Sequence, residues 1–413
     1  MAIAAYLSYG AEDSAAARDI ARELEAHGLP ATLTAVDRAQ AILDARCLVA
    51  LISPGAEADE AAARDLAFAI ANGKPIVPVL LKDVSAEGVR PVLDLQNRLD
   101  AREGLSNPVL SAIVARVRAF AEAGRTIAML NIKGGVGKTV LAANVFAAAH
   151  LELGKSVCFI DLDPQHNLSQ FFLPPEERNR VRADAMTIYS VFIAKGPLST
   201  PRENFARMPV QLNRARGMGK QRFDLVVGDE RLFEFTLDGR TERERADALS
   251  RFHDLVAQLR AKYDLVVIDV NPCATFLTRC AVTASDHIVA PVRPEKYSLT
   301  GLNMLEQVTR QIRGRPLKSS EFSVLLNGVA DRPRTRGGYD VDQATREEIA
   351  AAPFFGSALL GPAIPYTTHL RTTPIDRYVV NPISLTAMKQ FAQRMLKESL
   401  ASAAIDIIKR AGA

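Results

Sequence analysis

The run Lys133-Gly134-Gly135-Val136-Gly137-Lys138-Thr139 constrains this chain more than any other feature. It follows an apolar, strand-like stretch, Ile127–Asn131, and precedes a helical pattern from Val140 to about Glu152. A strand, a glycine-rich loop and a helix in that order are the context a phosphate-binding loop requires. The glycines let the backbone turn tightly, so successive N–H groups face a polyphosphate. The helix N-terminus adds positive potential at the same place. Gly134, Gly135, Val136, Gly137, Lys138, Thr139 and Val140 are therefore the candidate nucleotide-binding residues. Lys138 is expected to reach the β- and γ-phosphates, and the Thr139 hydroxyl to ligate Mg²⁺.

The chain has 413 residues, enough for two or three domains. Hydrophobic residues make up 48% and charged residues 24%, which excludes a largely disordered polypeptide. The sequence contains no long apolar run of the kind that spans a membrane, and the first residues lack the basic and apolar regions of a signal peptide. Four scattered cysteines, with no C-x-x-C pair, argue against a disulfide framework or zinc site and for a cytoplasmic location. The net charge of +4 is too mild to imply nucleic acid by itself.

Periodicity divides the chain into two α/β blocks. In the first, residues 1–122, short apolar strands (Ile3–Ser8, Leu48–Ile52, Pro75–Leu81) alternate with helices (Asp13–His27, Ala58–Ala71, Pro108–Glu122), predicting a parallel, doubly wound sheet. Residues 123–125 read as a hinge. The second block, 126–413, carries strands at Thr126–Asn131, Val157–Asp161, Leu225–Val227, Leu265–Asp269, His287–Pro291 and Phe322–Asn327. Residues 174–222 are rich in Arg and Pro and poorly periodic, so they read as an insertion or mobile region.

The loop departs from G-x-x-x-x-G-K-[ST]: Ile132 occupies the first glycine position and Lys133 follows it. This deviant form resembles that of the ParA/MinD family of ATPases. Val157 to Asn167, with Asp161-Leu162-Asp163-Pro164-Gln165-His166-Asn167, resembles that family's second strand and switch I, with His166 where a glycine is usual. Tyr263–Asp269 resembles a Walker B strand, followed by Val270-Asn271-Pro272; Asn327 and Ile364-Pro365 continue the pattern. The resemblance covers about residues 126–400 and implies a P-loop NTPase fold with a mostly parallel sheet. Chemistry and resemblance together make Asp269 the metal carboxylate, acting through water, while Asp163 orients the attacking water and Asp161 supports the metal site. The resemblance further implies that Lys133 crosses to a partner subunit's phosphates in an ATP-bound homodimer, and that Asn327 reads adenine. His166 is given no role and is expected to face solvent.

The first block resembles a flavodoxin-like TIR domain. Ser8-Tyr9 through Asp13 looks like the first TIR box, Val49–Pro54 like the third strand, and Ala63–Ala69 with Gly73–Val79 like the helix and strand that carry the family's glutamate. NAD⁺-cleaving members use that glutamate. Its position here falls on Asp65, a shorter side chain, and Ala61 stands where a tryptophan is common. Misplacing a catalytic group by about 1 Å can cost about 100-fold in rate. Asp65 is thus expected to be an ordinary charged residue on a solvated helix face, with Asp65-dependent NAD⁺ cleavage as the alternative.

Three functional readings follow. In the first, ATP drives dimerisation and the TIR-like domain docks a protein partner or self-associates. In the second, the ATPase regulates a TIR-type NAD⁺ hydrolase, as in phage defence. In the third, the first block is a degenerate receiver, as in ATPases that position pili or secretion systems. Arg310, Arg313 and Arg315, and the cluster Arg332, Arg334 and Arg336, are candidate contacts to non-specific DNA. The tail Ser402–Arg410 lacks the basic face and aromatic anchors of an interfacial helix, so it is expected to pack on the sheet rather than on a membrane. Cys158 reads as a core residue, and Cys273 as a low-priority thiol near the switch.

Overall fold

A computed structural model describes residues 3–84, 98–212, 221–237, 240–270, 275–330, 335–336, 339–367, 370 and 387–413. They form two compact units, Met1–Ala123 and Gly124–Ala413. Both are α/β, as the alternation of short strands and helices predicts.

In the first unit the chain runs β1 (Ala5–Ser8), α1 (Ser14–Ala26), β2 (Ala31–Thr32), α2 (Arg38–Asp44), β3 (Cys47–Ile52), α3 (Pro54–Ala58), α4 (Glu60–Ala71), β4 (Ile76–Leu80), β5 (Leu99–Asp100) and α5 (Asn107–Ala121). The five strands are parallel, in the order β2-β1-β3-β4-β5. That is the doubly wound flavodoxin-like order. Ile20 and Leu24 of α1 pack with Ile113 and Val117 of α5, while Tyr6 and Leu48 meet Ile42 of α2 and Ala69 of α4 in a separate cluster. The short β2, β5 and α2 are too brief to leave a periodic signal in the sequence. The predicted helix 58–71 begins at Glu60, where Asp59 caps it, and a short helix capped by Ser53, α3, precedes it without having been predicted.

The second unit opens with β6 (Arg125–Met129), α6 (Lys138–Leu153), β7 (Val157–Asp161), α7 (Asn167–Phe172), α8 (Pro175–Ala183), α9 (Ile188–Phe192), β8 (Val210–Gln211) and β9 (Phe223–Val226). It continues with α10 (Glu242–Arg260), β10 (Leu265–Asp269), α11 (Phe276–Ala284), β11 (His287–Val292), α12 (Ser298–Arg313) and β12 (Phe322–Val329). A short hairpin, β13 (Thr335–Arg336) and β14 (Tyr339–Asp340), leads to α13 (Val341–Ala351), α14 (Pro353–Ala358), β15 (Leu359–Pro365) and α15 (Ala387–Ala411). Eight strands form one sheet in the order β15-β12-β11-β6-β10-β7-β9-β8, parallel except for β8. Gly124 is hydrogen-bonded to Arg260 O at 2.9 Å, and a Cβ there would lie 1.9 Å from Tyr263 O, so only glycine fits.

Of the region 174–222 read as an insertion or mobile region, residues 174–212 are built into the core, and 213–220 lie outside the described residues. Ile188, Val191, Phe192, Phe205 and Met208 sit in the core with Phe252 and Leu255 of α10. Phe192 stacks on Phe252 at 5.7 Å, and the buried Arg251 donates to the Val191 and Thr200 carbonyls. Sparse aromatic anchors, rather than a helical stripe, hold this segment, which is why it lacks periodicity. A second cluster joins α6 to α15, burying Leu400, Ala403, Ala404 and Ile407. The tail thus packs onto its own domain, as expected. No helix among the described residues is long and apolar enough to cross a membrane.

Candidate functional site

β6 lies between β11 and β10, so the loop that leaves its carboxyl end opens where ligands bind in α/β sheets. Asn131 fixes the loop's entry: its Nδ2 donates to Pro291 O at 2.6 Å and its Oδ1 accepts from Lys133 N at 2.9 Å. Gly135 (φ +72°) and Gly137 (φ +92°) are left-handed, a conformation side chains resist. Gly137 is the N-cap of α6 and no side chain caps that end, which leaves the helix's first N–H groups for an anion. Leu141 to His150 are all buried, so the helix behind the loop is locked into the core. The loop borders a cavity of about 540 Å³ lined by Gly134, Gly135, Gly137, Lys138, Thr139 and Asp163 at one end. Val140 also lines it, while Val136 is buried beneath.

Two carboxylates stand side by side at the tips of neighbouring strands, Asp161 of β7 opposite Asp269 of β10. Burial pushes the Asp269 carboxyl up to about 7, against the opposing pull of a Thr139 hydrogen bond and nearby Lys138. Its Oδ2 is buried and has no hydrogen-bond partner among the described residues. Burial raises Asp161 too, and Asp269 beside it adds to the effect. Asp161 is nevertheless satisfied: its Oδ2 accepts from Ser169 N at 2.7 Å and Ser169 Oγ at 2.6 Å. Ser169 Oγ accepts in turn from Gly228 N at 2.8 Å. Asp163 lines the cavity and accepts from Gln165 N at 2.8 Å.

The residues fit a magnesium ion. An unsatisfied buried carboxylate oxygen beside a threonine hydroxyl offers the hard oxygen donors that Mg²⁺ prefers. No group of three or more acidic, His or Cys residues among the described residues could hold a metal alone.

In the first unit, Asp65 on α4 is buried, not solvated. Arg38 on α2 grips it with Nε to Oδ1 at 3.1 Å and an Nη to Oδ2 at 2.5 Å. The same guanidinium lies over the Tyr6 ring at 6.0 Å. Glu60 is exposed and pairs with Arg64. Asp13 of the first box accepts from Ser53 Oγ at 2.5 Å, tying the ends of β1 and β3 together.

Comparison with known proteins agrees with both halves. A family model described as a TIR domain matches residues 6–108, and one described as an AAA domain matches 124–322. The chromosome-partitioning ATPase Soj of Treponema pallidum is 24% identical over 259 residues, covering 61% of this chain and 87% of that protein. The sporulation initiation inhibitor protein Soj of Bacillus subtilis is 29% identical over 212 residues, covering 50% and 71%. The solved structure of pNOB8 ParA superposes with a TM-score of 0.52 at 17% identity, covering 70% of this chain and 98% of that one. The chain joins a TIR-like domain to a ParA/MinD-type P-loop ATPase domain.

Other candidate residues of the ATPase domain have partners within the chain. Lys133 is ion-paired with Glu295, both partly exposed. Asn327 turns its Nδ2 onto Val136 O at 2.7 Å, bracing the loop from beneath. Its nitrogen lies 2.6 Å from where a Gly137 Cβ would be, so brace and glycine depend on each other. His166 is half-buried rather than fully solvent-facing. It takes the left-handed conformation (φ +42°) that explains the family's glycine, and it sits among Gln170, Arg178 and Glu230. Burial lowers its pKa. Arg313 and Arg315 are not a free basic patch: Glu321 neutralises both, and Arg313 is buried against the Val282 and Ser285 carbonyls. Arg310 remains exposed. Arg332 and Arg334, the Arg336 side chain, and Asn271, Pro272 and Cys273 lie outside what the structure describes. Cys158 is buried, as expected. Sequence reading missed Arg293 and Tyr366, which also line the cavity.

Proposed function

We propose that the protein is an ATP-hydrolysing switch that pairs with a second copy of itself when ATP is bound, with its TIR-like domain docking a protein partner or self-associating. The observation that carries this reading is the buried Asp269 oxygen beside Thr139, which has no hydrogen-bond partner among the described residues.

The roles of the chain's residues follow from their places. Backbone N–H groups of Gly134 to Lys138 cradle the phosphates, with Lys138 supplying the local positive charge. Thr139 and Asp269 are the residues that would hold Mg²⁺. When bound, the ion neutralises charge on the β- and γ-oxygens. Asp163 orients the attacking water. Asp161 acts at one remove, holding the switch segment through Ser169, and so is a positioning residue. Lys133 leaves Glu295 to reach the phosphates bound by the second copy. Asn327 keeps the loop in shape and borders the space for adenine.

For the TIR-like domain, the Arg38–Asp65 pair supports docking over NAD⁺ cleavage. A carboxylate that already satisfies a bidentate guanidinium is not available to an oxocarbenium-like transition state. NAD⁺ loss that vanishes in Asp65→Ala would reverse this preference.

The test of the switch is mass in solution with Mg²⁺ and ATP, read by light scattering, alongside phosphate release. The wild type should double in mass and release phosphate, and Lys138→Ala should do neither. A wild type that stays monomeric and releases no phosphate would overturn the reading.

A further inference from the structure

His166 stands where the ParA/MinD family usually has glycine, and its side chain has partners that a glycine could not engage. Its neighbours Asp163, Gln165 and Asn167 line the cavity at the phosphate loop. The His166 ring lies instead among Gln170 of α7, Arg178 of α8 and Glu230 in the turn after β9. Gln170 Nε2 and Arg178 Nη1 approach its Nδ1 to 3.2 and 3.4 Å. A guanidinium has donors only, so Nδ1 is the acceptor and the ring proton sits on Nε2. Nε2 faces Glu230 Oε2 at 3.7 Å. Glu230 is held in turn by both guanidinium nitrogens of Arg182, Nη1 to Oε1 at 2.6 Å and Nη2 to Oε2. Arg178 and Arg182 are one turn apart on α8, so the ring ties the switch segment to that helix and to the 230 turn.

The backbone is pinned at the same place. His166 N donates to Asp163 O at 2.8 Å, closing the turn that carries Asp163. His166 is left-handed (φ +42°), a strained state for a side-chain-bearing residue that persists only where its surroundings over-determine it. A Cβ on Gly228 would lie 2.7 Å from His166 Cβ and 2.8 Å from Asp161 Cγ, so the segment abuts a residue that has to stay bare.

We propose that His166 is a positioning residue for hydrolysis: latched to Arg178 and Glu230, it holds the turn that keeps Asp163 at the phosphate end of the cavity. This rests on the ATP-hydrolysing reading of the site. The glycine loop and Lys138, which would bind the phosphates, lie on another segment, so the latch acts on turnover rather than on binding. Misplacing a catalytic group by about 1 Å can cost about 100-fold. Loosening a turn that other bonds still hold should cost about a tenth of that, and a loss confined to the transition state lowers kcat and leaves KM alone.

The experiment is phosphate release by the full chain over a range of Mg²⁺–ATP concentrations. His166→Gly, which restores the usual residue and relieves the backbone, should lower kcat by about tenfold with KM unchanged. Glu230→Ala should do the same. The double variant should be no slower than the slower single, because both break one latch. His166→Gln, whose amide nitrogen can take the place of Nε2, should keep kcat within about threefold of the wild type. The unchanged KM reports that the phosphate loop is folded in each variant. Wild-type kcat in His166→Gly would overturn the latch, since the ring would then merely occupy a glycine's place. Losses that multiply in the double variant, or a KM that rises as kcat falls, would overturn it too. A wild type that releases no phosphate would remove the hydrolytic reading itself, and the latch with it.

Discussion

Each half of the molecule buries a carboxylate at a position where a family places its chemistry, and the two are held in opposite ways. Asp65 in the TIR-like domain has both oxygens taken by Arg38. Asp269 in the ATPase domain keeps one oxygen with no hydrogen-bond partner among the described residues, and burial lifts its pKa towards neutrality. Burial alone therefore does not mark a site. A buried carboxylate with both oxygens taken is architecture; one with an oxygen left over is poised for a ligand.

The largest expected effect breaks the ATPase side of this contrast. Asp269→Asn should cut ATP turnover by about 100-fold or more, the scale seen when one electrostatic contact to a transition state is removed. In the absence of nucleotide it should melt no lower than the wild type, because it deletes a buried charge one of whose oxygens has no hydrogen-bond partner among the described residues. Phosphate release and calorimetric melting check the two halves of the statement. Normal turnover would mean that Asp269 is not the metal carboxylate.

The TIR-like side should fail differently. Arg38→Ala leaves Asp65 buried and unpaired, which costs about 3 kcal/mol, the low end of the range because Arg38 is itself 39% exposed. Unfolding of the first domain should shift accordingly, while ATP turnover stays as it was. The double variant Arg38→Ala/Asp65→Ala should recover part of the loss. A single variant that melts like the wild type would show that the pair is not structural.

How much of this was legible in the sequence depends on distance along the chain. The phosphate loop reads well because its glycines, lysine and threonine are contiguous and bracketed by a strand and a helix. The strand tips at Asp161 and Asp269 read well for the same local reason. Side-chain placement does not read so well. Asn327 meets Val136 across 191 positions and Lys133 meets Glu295 across 162, and no periodicity encodes either meeting. Arg313 and Arg315 look like a basic patch until Glu321 folds onto them, and Asp65 looks solvated until α2, too short to be predicted, delivers Arg38. Residues 174–212 failed as a prediction because a handful of aromatic contacts, not a stripe, orders them.

A third arrangement is burial with neutral partners. His287 on β11 is fully buried between Ser320 O at 3.0 Å and Ser323 Oγ at 2.8 Å. Burial lowers its pKa to about 4, with Arg410 and Arg313 pushing the same way and Asp286 and the Ser320 bond opposing. Above the ordinary histidine pKa, near 6.5, the group is neutral in both folded and unfolded chains and has no pH effect. As pH falls below that value, the unfolded chain takes up a proton that the folded one refuses. Stability is therefore lost down to about pH 4. By pH 5 the loss is about 2 kcal/mol, from roughly 1.5 pH units at 1.36 kcal/mol each. His287→Gln should lack this component, so its stability gap to the wild type should narrow by that amount between pH 7 and pH 5. A gap that stays constant would place the proton on His287 in the folded state as well.

The smallest effect sharpens the comparison most, because it sets one ion pair against another. Lys133–Glu295 and Arg38–Asp65 are both cation–carboxylate contacts, yet Lys133 and Glu295 are 38% and 48% exposed, whereas Asp65 is 5% exposed. Water screens an exposed pair and leaves it worth about 0.2–1 kcal/mol. Such a contact can keep Lys133 parked without holding it against a better partner. Glu295→Ala should leave the melting temperature nearly unchanged and tighten ATP-dependent self-association by no more than about fivefold, the equivalent of 1 kcal/mol. Adding salt should bring the wild type towards the variant, since screening weakens the same contact. Sedimentation with Mg²⁺–ATP at low and high salt reads both trends. If Glu295→Ala instead lowers the melting temperature by as much as Arg38→Ala does, the Lys133 pair is architectural after all, and it no longer distinguishes the two halves.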